Sequence, residues 1–265
     1  MGFLKDPIFY ESIFRWLHVF AGVVWIGLLY FFNFVNSGFA PTMDAETKKK
    51  VIPELMPRAL YWFRWGAAYT WIFGVLLLVL VFYHTPNLME GQVEIPAGGW
   101  AVVAIAGLGF YVYDLLVKTV LKKPLATFWG GWILASAVVI LFQNLAHVSF
   151  RGYAIHLGAM FGTTMFFNVW MRIWPSQKKI IAAIKNGQAP DPALVALAGT
   201  RSKHNTYMSV PLLFTMIGQH ATWAGGPIPG GGKLLEHGNL LPVVILVGWG
   251  IVFLCYKKAA QVKGF

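Results

Sequence analysis

Apolar residues along the chain gather into blocks of about 20, the length a helix needs to cross the hydrocarbon layer of a bilayer. Short polar stretches separate them. Seven blocks predict seven transmembrane helices: Ile13 to Phe34, Leu60 to Tyr83, Trp100 to Leu121, Ala126 to Val148, Tyr153 to Trp174, Asn205 to Trp223, and Leu240 to Tyr256. The first block is too long for the h-region of a cleaved signal and lacks a small-x-small site after it, so it is expected to stay in the protein. Between the fifth and sixth blocks, Ser176, Gly187 and Asp191-Pro192 read as cap and stop signals for two short helices on the membrane surface, with Ile180, Ile181 and Ile184 turned to lipid or protein. No repeat or linker interrupts the pattern, and residues 1–265 are expected to form a single integral membrane domain. The predicted fold class is an all-α polytopic membrane helix bundle.

Composition removes the soluble alternatives. Hydrophobic residues make up 57% and charged residues 12%, against roughly 25% charge in a soluble domain. Mean hydropathy is +0.61. The single cysteine, Cys255, can neither build a disulfide scaffold nor supply the Cys-x-x-Cys-His run that attaches c-type haem. A formal net charge of +11 would suit a nucleic-acid binder, but here the basic residues punctuate apolar blocks and serve better as topology signals. Lys48, Lys49, Lys50 and Arg58 lie between blocks one and two, with Arg64 at the adjoining helix end; Lys118, at the end of block three, is followed by Lys122 and Lys123. Arg172, at the end of block five, is followed by Lys178, Lys179, Lys185, Arg201 and Lys203, and Lys257, Lys258 and Lys263 follow block seven. Only Lys5, Arg15, Arg151 and Lys233 lie on the other side. The positive-inside rule then predicts an outside N-terminus and a cytoplasmic C-terminus in a bacterial inner membrane. Lipid is an expected partner, with Trp62, Trp65, Trp170 and Trp174 as interfacial anchors, and nucleic acid is not.

Ionisable groups inside spans are costly and are candidates for function. In this topology His18, His147, His156 and His220 all fall in the outer half of the bilayer, while His204 lies at the inner side. Helical spacing extends them into stripes: His18, Gly22, Trp25, Leu29 and Asn33; Trp129, Trp132, Ser136, Gln143 and His147; His156, Met160, Thr163 and Phe167; and Ser209, Met216 and His220. Gly158 and Gly162 form a small-xxx-small pair. Four imidazoles in one layer point to a b-type haem whose iron is held by two of them, although copper, a proton relay or plain helix contacts use the same side chains. Arg15 and Arg151 flank the layer and offer forks for haem propionates or an anionic substrate, or simply for lipid phosphate. Asp114, one turn before Lys118, reads as half of an ion pair. The segment from Gly225 to Lys233 fails as a phosphate loop because Pro227 stands where the first glycine is needed. No Ser, His and Asp spacing suggests a hydrolase.

Four segments together resemble a known family. They are Arg15-Trp-Leu-His18 with Trp25-Ile-Gly27; Tyr61-Trp-Phe-Arg-Trp65 running to Gly74; Ile155-His156-Leu-Gly-Ala-Met-Phe-Gly-Thr163 with Asn168-Val169 and Pro175-Ser-Gln177; and His204-Asn-Thr-Tyr-Met-Ser-Val-Pro211 with His220. In this order they are similar to the membrane domain of the cytochrome c-linked urate oxidases, or urate hydroxylases. The resemblance runs from about residue 12 to 223 and implies a helical membrane domain that oxidises urate and passes electrons to a fused cytochrome c domain. This sequence has no Cys-x-x-Cys-His to make that domain, so the expected acceptor is a separate periplasmic c-type cytochrome, with other subunits of a membrane complex as further partners.

Three functions therefore compete. The first is a haem b-dependent membrane oxidoreductase resembling urate oxidase, with His18, His156 and His220 as preferred ligands and His147 as the fourth candidate. The second is a non-catalytic b-haem electron-transfer or accessory subunit of a respiratory complex. The third is a transporter, although the repeats and paired broken helices of transporters are not apparent.

Overall fold

The computed structural model describes residues 6–84, 94–95, 97–145, 148–226 and 239–262. Among them the regular structure is helical, without β-strands. Helix α1 (Pro7–Tyr30) starts where Asp6 accepts a hydrogen bond from the Ile8 amide at 2.9 Å and Pro7 presets the first turn. A π-helical turn, Phe31–Asn36, leads to the single turn α2 (Ser37–Phe39). Helix α3 (Ala45–Leu78) is capped by Asp44, which takes bonds from the Thr47 amide at 2.9 Å and hydroxyl at 2.8 Å. It ends in a second π-helical segment, Val79–His84. Helices α4 (Ala97–Thr119) and α5 (Pro124–Asn144) follow, then α6 (Phe150–Asn168) with its π-turn Val169–Ile173. Helix α7 (Trp174–Lys185) stops at Gly187, whose φ of 70° needs a residue without Cβ. Helices α8 (Pro192–Ile217) and α9 (Leu241–Ala259) complete the chain.

Seven of these helices are long, and they correspond to the seven apolar blocks. Among the described residues five segments are long and apolar enough to cross a membrane: Pro7–Thr42, Ala45–His84, Ala97–Thr119, Pro124–Asn144 and Leu241–Ala259. The protein is thus a polytopic helical membrane protein. Helices α6 and α8 are less apolar, and they carry buried Thr163, Thr164, Arg201, Asn205, Thr206, Ser209 and Thr215. By contrast α1, α4, α5 and α9 expose Phe20, Val23, Leu115, Ile133, Phe253 and Leu254. The inversion has a simple cause. A helix facing lipid must be apolar, whereas one surrounded by protein can spend its polar groups on hydrogen bonds to neighbours.

Several local expectations are met. Asp114 and Lys118 form an ion pair at 2.7 Å. The α1 stripe faces inward, with Trp25, Leu29 and Asn33 buried. Others shift. The second short helix expected after Asp191 is the first part of α8, which runs on without a break because nothing stops it before Ile217. Ser176 lies inside α7 and donates to the Arg172 carbonyl at 2.8 Å instead of capping. On α5 the buried face is Ala135, Val139 and Phe142, one residue before the Ser136 and Gln143 stripe.

The chain forms two compact units: residues 1–75, 165–208 and 251–265, and residues 76–164 and 209–250. In the first, Gly66 lets α3 approach the α1 backbone, since a Cβ there would lie 3.2 Å from the Trp25 amide nitrogen. Asn33 donates to Ser202 at 2.8 Å and accepts from the Tyr256 hydroxyl at 2.8 Å, which ties α8 and α9 to the end of α1. Asn168 donates to Asn205 at 2.8 Å, and Asn205 donates to the Met165 carbonyl at 3.0 Å. In the second unit, Gly158 admits Thr215 and Met216 of α8, and Gly162 sits over Leu212. The small-residue pair therefore works as a helix contact.

Candidate functional site

Two histidines are anchored in different ways. His18, on the inward side of α1 and half-buried, has Nδ1 2.8 Å from the Thr70 carbonyl of α3. A carbonyl only accepts, so Nδ1 carries the proton and Nε2 keeps its lone pair. No hydrogen bond reaches that Nε2 among the described residues. Gly74, one turn after Thr70, has the ring against its backbone: a Cβ would come within 2.9 Å of Cε1. Arg15, one turn earlier, is exposed and paired with Glu11.

His156 is fully buried on α6. Its Nδ1 donates to the Gly152 carbonyl at 2.7 Å, so again Nε2 holds the lone pair. Here it is used. The Tyr83 hydroxyl, from the π-helical end of α3, lies 2.8 Å from Nε2 and 3.2 Å from the Gly99 carbonyl. A phenol has one proton, and the shorter contact to an otherwise unsatisfied buried nitrogen takes it. Phe82 meets the imidazole edge-on at 6.2 Å, and Trp100 covers the Tyr83 ring at 5.2 Å. Tyr83 is half-buried and Trp100 exposed, so the pair runs from a partly open phenol to a closed imidazole.

The remaining sequence candidates are placed more loosely. His220 is exposed in the turn after α8, beyond the helix expected to carry it, because α8 ends at Ile217. Arg151 is exposed in the first turn of α6. His147 lies outside the described residues. No cluster of three or more His, Cys, Asp or Glu side chains suited to a metal ion occurs among the described residues.

These facts test the expected haem. His18 fits an axial ligand, with Nδ1 fixed by a backbone acceptor and Nε2 open, the usual arrangement of a metal-bound imidazole. His156 does not fit as it stands, because its only lone pair is occupied by Tyr83. Nor does Gly22 open a slot for a macrocycle, since the Thr70 side chain fills that notch at 3.8 Å.

Sequence reasoning passed over Tyr83, and also Asn168, Asn205 and the fully buried Arg201 as a group. The asparagines left a signal, both standing within the segments that carry the family resemblance. Tyr83 left none, being 73 residues from its partner.

The described helices thus hold a half-buried His18 and a fully buried His156, each bonded to a backbone carbonyl, within a helical membrane protein. Residues 42–226, well over half of the chain, match the family described as urate oxidase N-terminal. The chain belongs to that family. The matched stretch contains Tyr83, His156, Asn168, Arg201, Asn205 and His220 but begins after His18. No curated protein and no solved structure matches the chain.

Proposed function

We propose that this protein is a membrane oxidoreductase that takes electrons from urate at the periplasmic face of a bacterial inner membrane and delivers them to a separate c-type cytochrome. The observation that supports it most is the family match over residues 42–226. The strong bias of Lys and Arg to alternate connections supports an outside N-terminus, which puts His18, Tyr83, His156 and His220 toward the periplasm. In the same reading the chain works within a larger membrane complex.

Haem b is the proposed cofactor. His18 would hold it through the Nε2 that the Thr70 bond leaves free. When bound, the group would pass single electrons between a two-electron donor and a one-electron acceptor. The chain's own contributions are the Thr70 carbonyl, which holds the His18 ring in the tautomer that leaves Nε2 free, and Arg15 and Arg151, which favour an anion at the outer surface.

Protein purified in mild detergent is expected to reduce added ferric c-type cytochrome when urate is supplied. It is also expected to show a Soret band that His18→Leu abolishes. Absence of urate-dependent reduction overturns the oxidoreductase reading. Reduction without a Soret band overturns haem b alone.

A further inference from the structure

His156 is one of the four histidines of which two were expected to hold iron, and its geometry argues for different work. We propose that Tyr83 and His156 form a proton-accepting pair: Tyr83 takes a proton from the reacting substrate or from the water that attacks it, and passes its own phenolic proton to Nε2 of His156. This rests on the oxidoreductase reading above and supplies its proton half.

Three features of the site carry the inference. The tautomer is set from behind, because the Gly152 carbonyl at 2.7 Å accepts the Nδ1 proton and leaves Nε2 as the receiving atom. The donor is already aligned, with the Tyr83 hydroxyl 2.8 Å from that atom. And only the phenol end of the pair is partly open, while the imidazole is closed off from solvent. A hydrogen bond made only to hold two helices together would need no open end.

The step balances as follows. Oxidative hydroxylation of urate consumes one water and two ferric cytochromes, and yields the hydroxylated product, two ferrous cytochromes and two protons. As the water O–H or substrate N–H bond breaks, its proton forms a new O–H bond at Tyr83. The original Tyr83 proton forms the Nε2–H bond of His156, which becomes an imidazolium with Nδ1–H still on Gly152. The electrons leave to the ferric acceptor, and neither Tyr83 nor His156 is oxidised. The second proton goes to water. Deprotonation of His156 back through Tyr83 resets the pair. In these terms Tyr83 is the catalytic group and His156 the positioning base behind it.

The test uses the full chain in detergent, with urate and ferric c-type cytochrome, comparing wild type, Tyr83→Phe, His156→Gln and His18→Leu. Positioned acid–base groups contribute on the order of 100-fold or more. Tyr83→Phe and His156→Gln should each lower kcat on that scale, with KM and the Soret band unchanged, and should flatten the limb of the kcat–pH profile on which wild type gains rate. The solvent deuterium isotope effect should change in both, which a purely structural contact would not produce. Loss of the Soret band in His156→Gln, or wild-type rates and isotope effects in both variants, overturns the pair. If wild type itself shows no urate turnover, the oxidoreductase reading fails, and histidine ¹⁵N resonances decide the pair separately. A protonated Nδ1 and an unprotonated Nε2 whose shift moves in Tyr83→Phe support it, and a protonated Nε2 overturns it.

Discussion

His18 stands midway along α1 and His156 in the first half of α6, and both give the Nδ1 proton to a backbone carbonyl, yet they end in opposite states. His18 reaches across to Thr70 of α3, so its ring is held from outside its own helix and Nε2 is left open. His156 bonds back to Gly152 in its own helix, and its Nε2 is closed by Tyr83. The difference follows from where each helix lies. Helix α1 presents one inward stripe and exposes the rest, whereas residues 152–158 of α6 are buried without interruption. A half-buried imidazole can leave a lone pair unmet, but a fully buried one must find a donor or bear a cost of about 1–3 kcal/mol. An open nitrogen suits a ligand from outside the chain. A closed one suits transfer of a proton along a bond that already exists.

The most severe way to break the contrast is to pry α6 from its neighbour. Gly158, two residues from His156, has Thr215 and Met216 pressed against it. Gly158→Leu is expected to destabilise the protein by about 3 kcal/mol through overpacking, with a clear drop in the thermal midpoint in detergent. An unchanged midpoint would show that α6 and α8 are not tightly packed there.

A smaller effect is expected at the hydrogen bond itself. Tyr83→Phe leaves Nε2 of His156 buried without a donor, at roughly 1–3 kcal/mol. The second substitution of a cycle, His156→Phe in the Tyr83→Phe background, should then cost less than His156→Phe alone. Additive costs would mean that the two side chains are not coupled.

At His18 the comparable substitution is gentler. Gly74→Ala puts a methyl group 2.9 Å from Cε1, and the half-buried ring, at the end of its side chain, can yield. A loss of about 1 kcal/mol or less is expected, together with a shift in the absorbance of any bound haem. No spectral change would separate His18 from the pigment.

The least effect is expected away from both histidines, at Asp44. Hydrogen bonds from the Thr47 amide and hydroxyl hold its carboxyl below the usual carboxylate range. Because the folded pKa is depressed, the cap's contribution is complete above the ordinary pKa and fades as pH falls through the lowered one. Asp44→Asn should therefore remove a small acid-side slope of stability without touching either imidazole. An unchanged slope would show that the cap is not maintained in solution.

Much of the architecture was legible in the sequence because a bilayer imposes a one-dimensional rule: blocks of about 20 apolar residues must be helices. That rule located seven long helices, the inward stripe of α1, the Asp114–Lys118 pair and the contact glycines of α6. It was less accurate where a helix is sheltered by protein. Polarity no longer marks an end there, and α8 accordingly begins well before its apolar block, at Pro192, and stops before His220.

The sequence by itself determined that this chain is a helical membrane protein, that its imidazoles are few, and, through four short segments, which family it belongs to. Only the tertiary structure decided what each imidazole can do. Whether a ring nitrogen is open or filled depends on a side chain arriving from elsewhere in the chain, as Tyr83 arrives at His156 across 73 residues. Periodicity fixes the direction in which a side chain leaves its own helix, and carries no information about the partner that meets it.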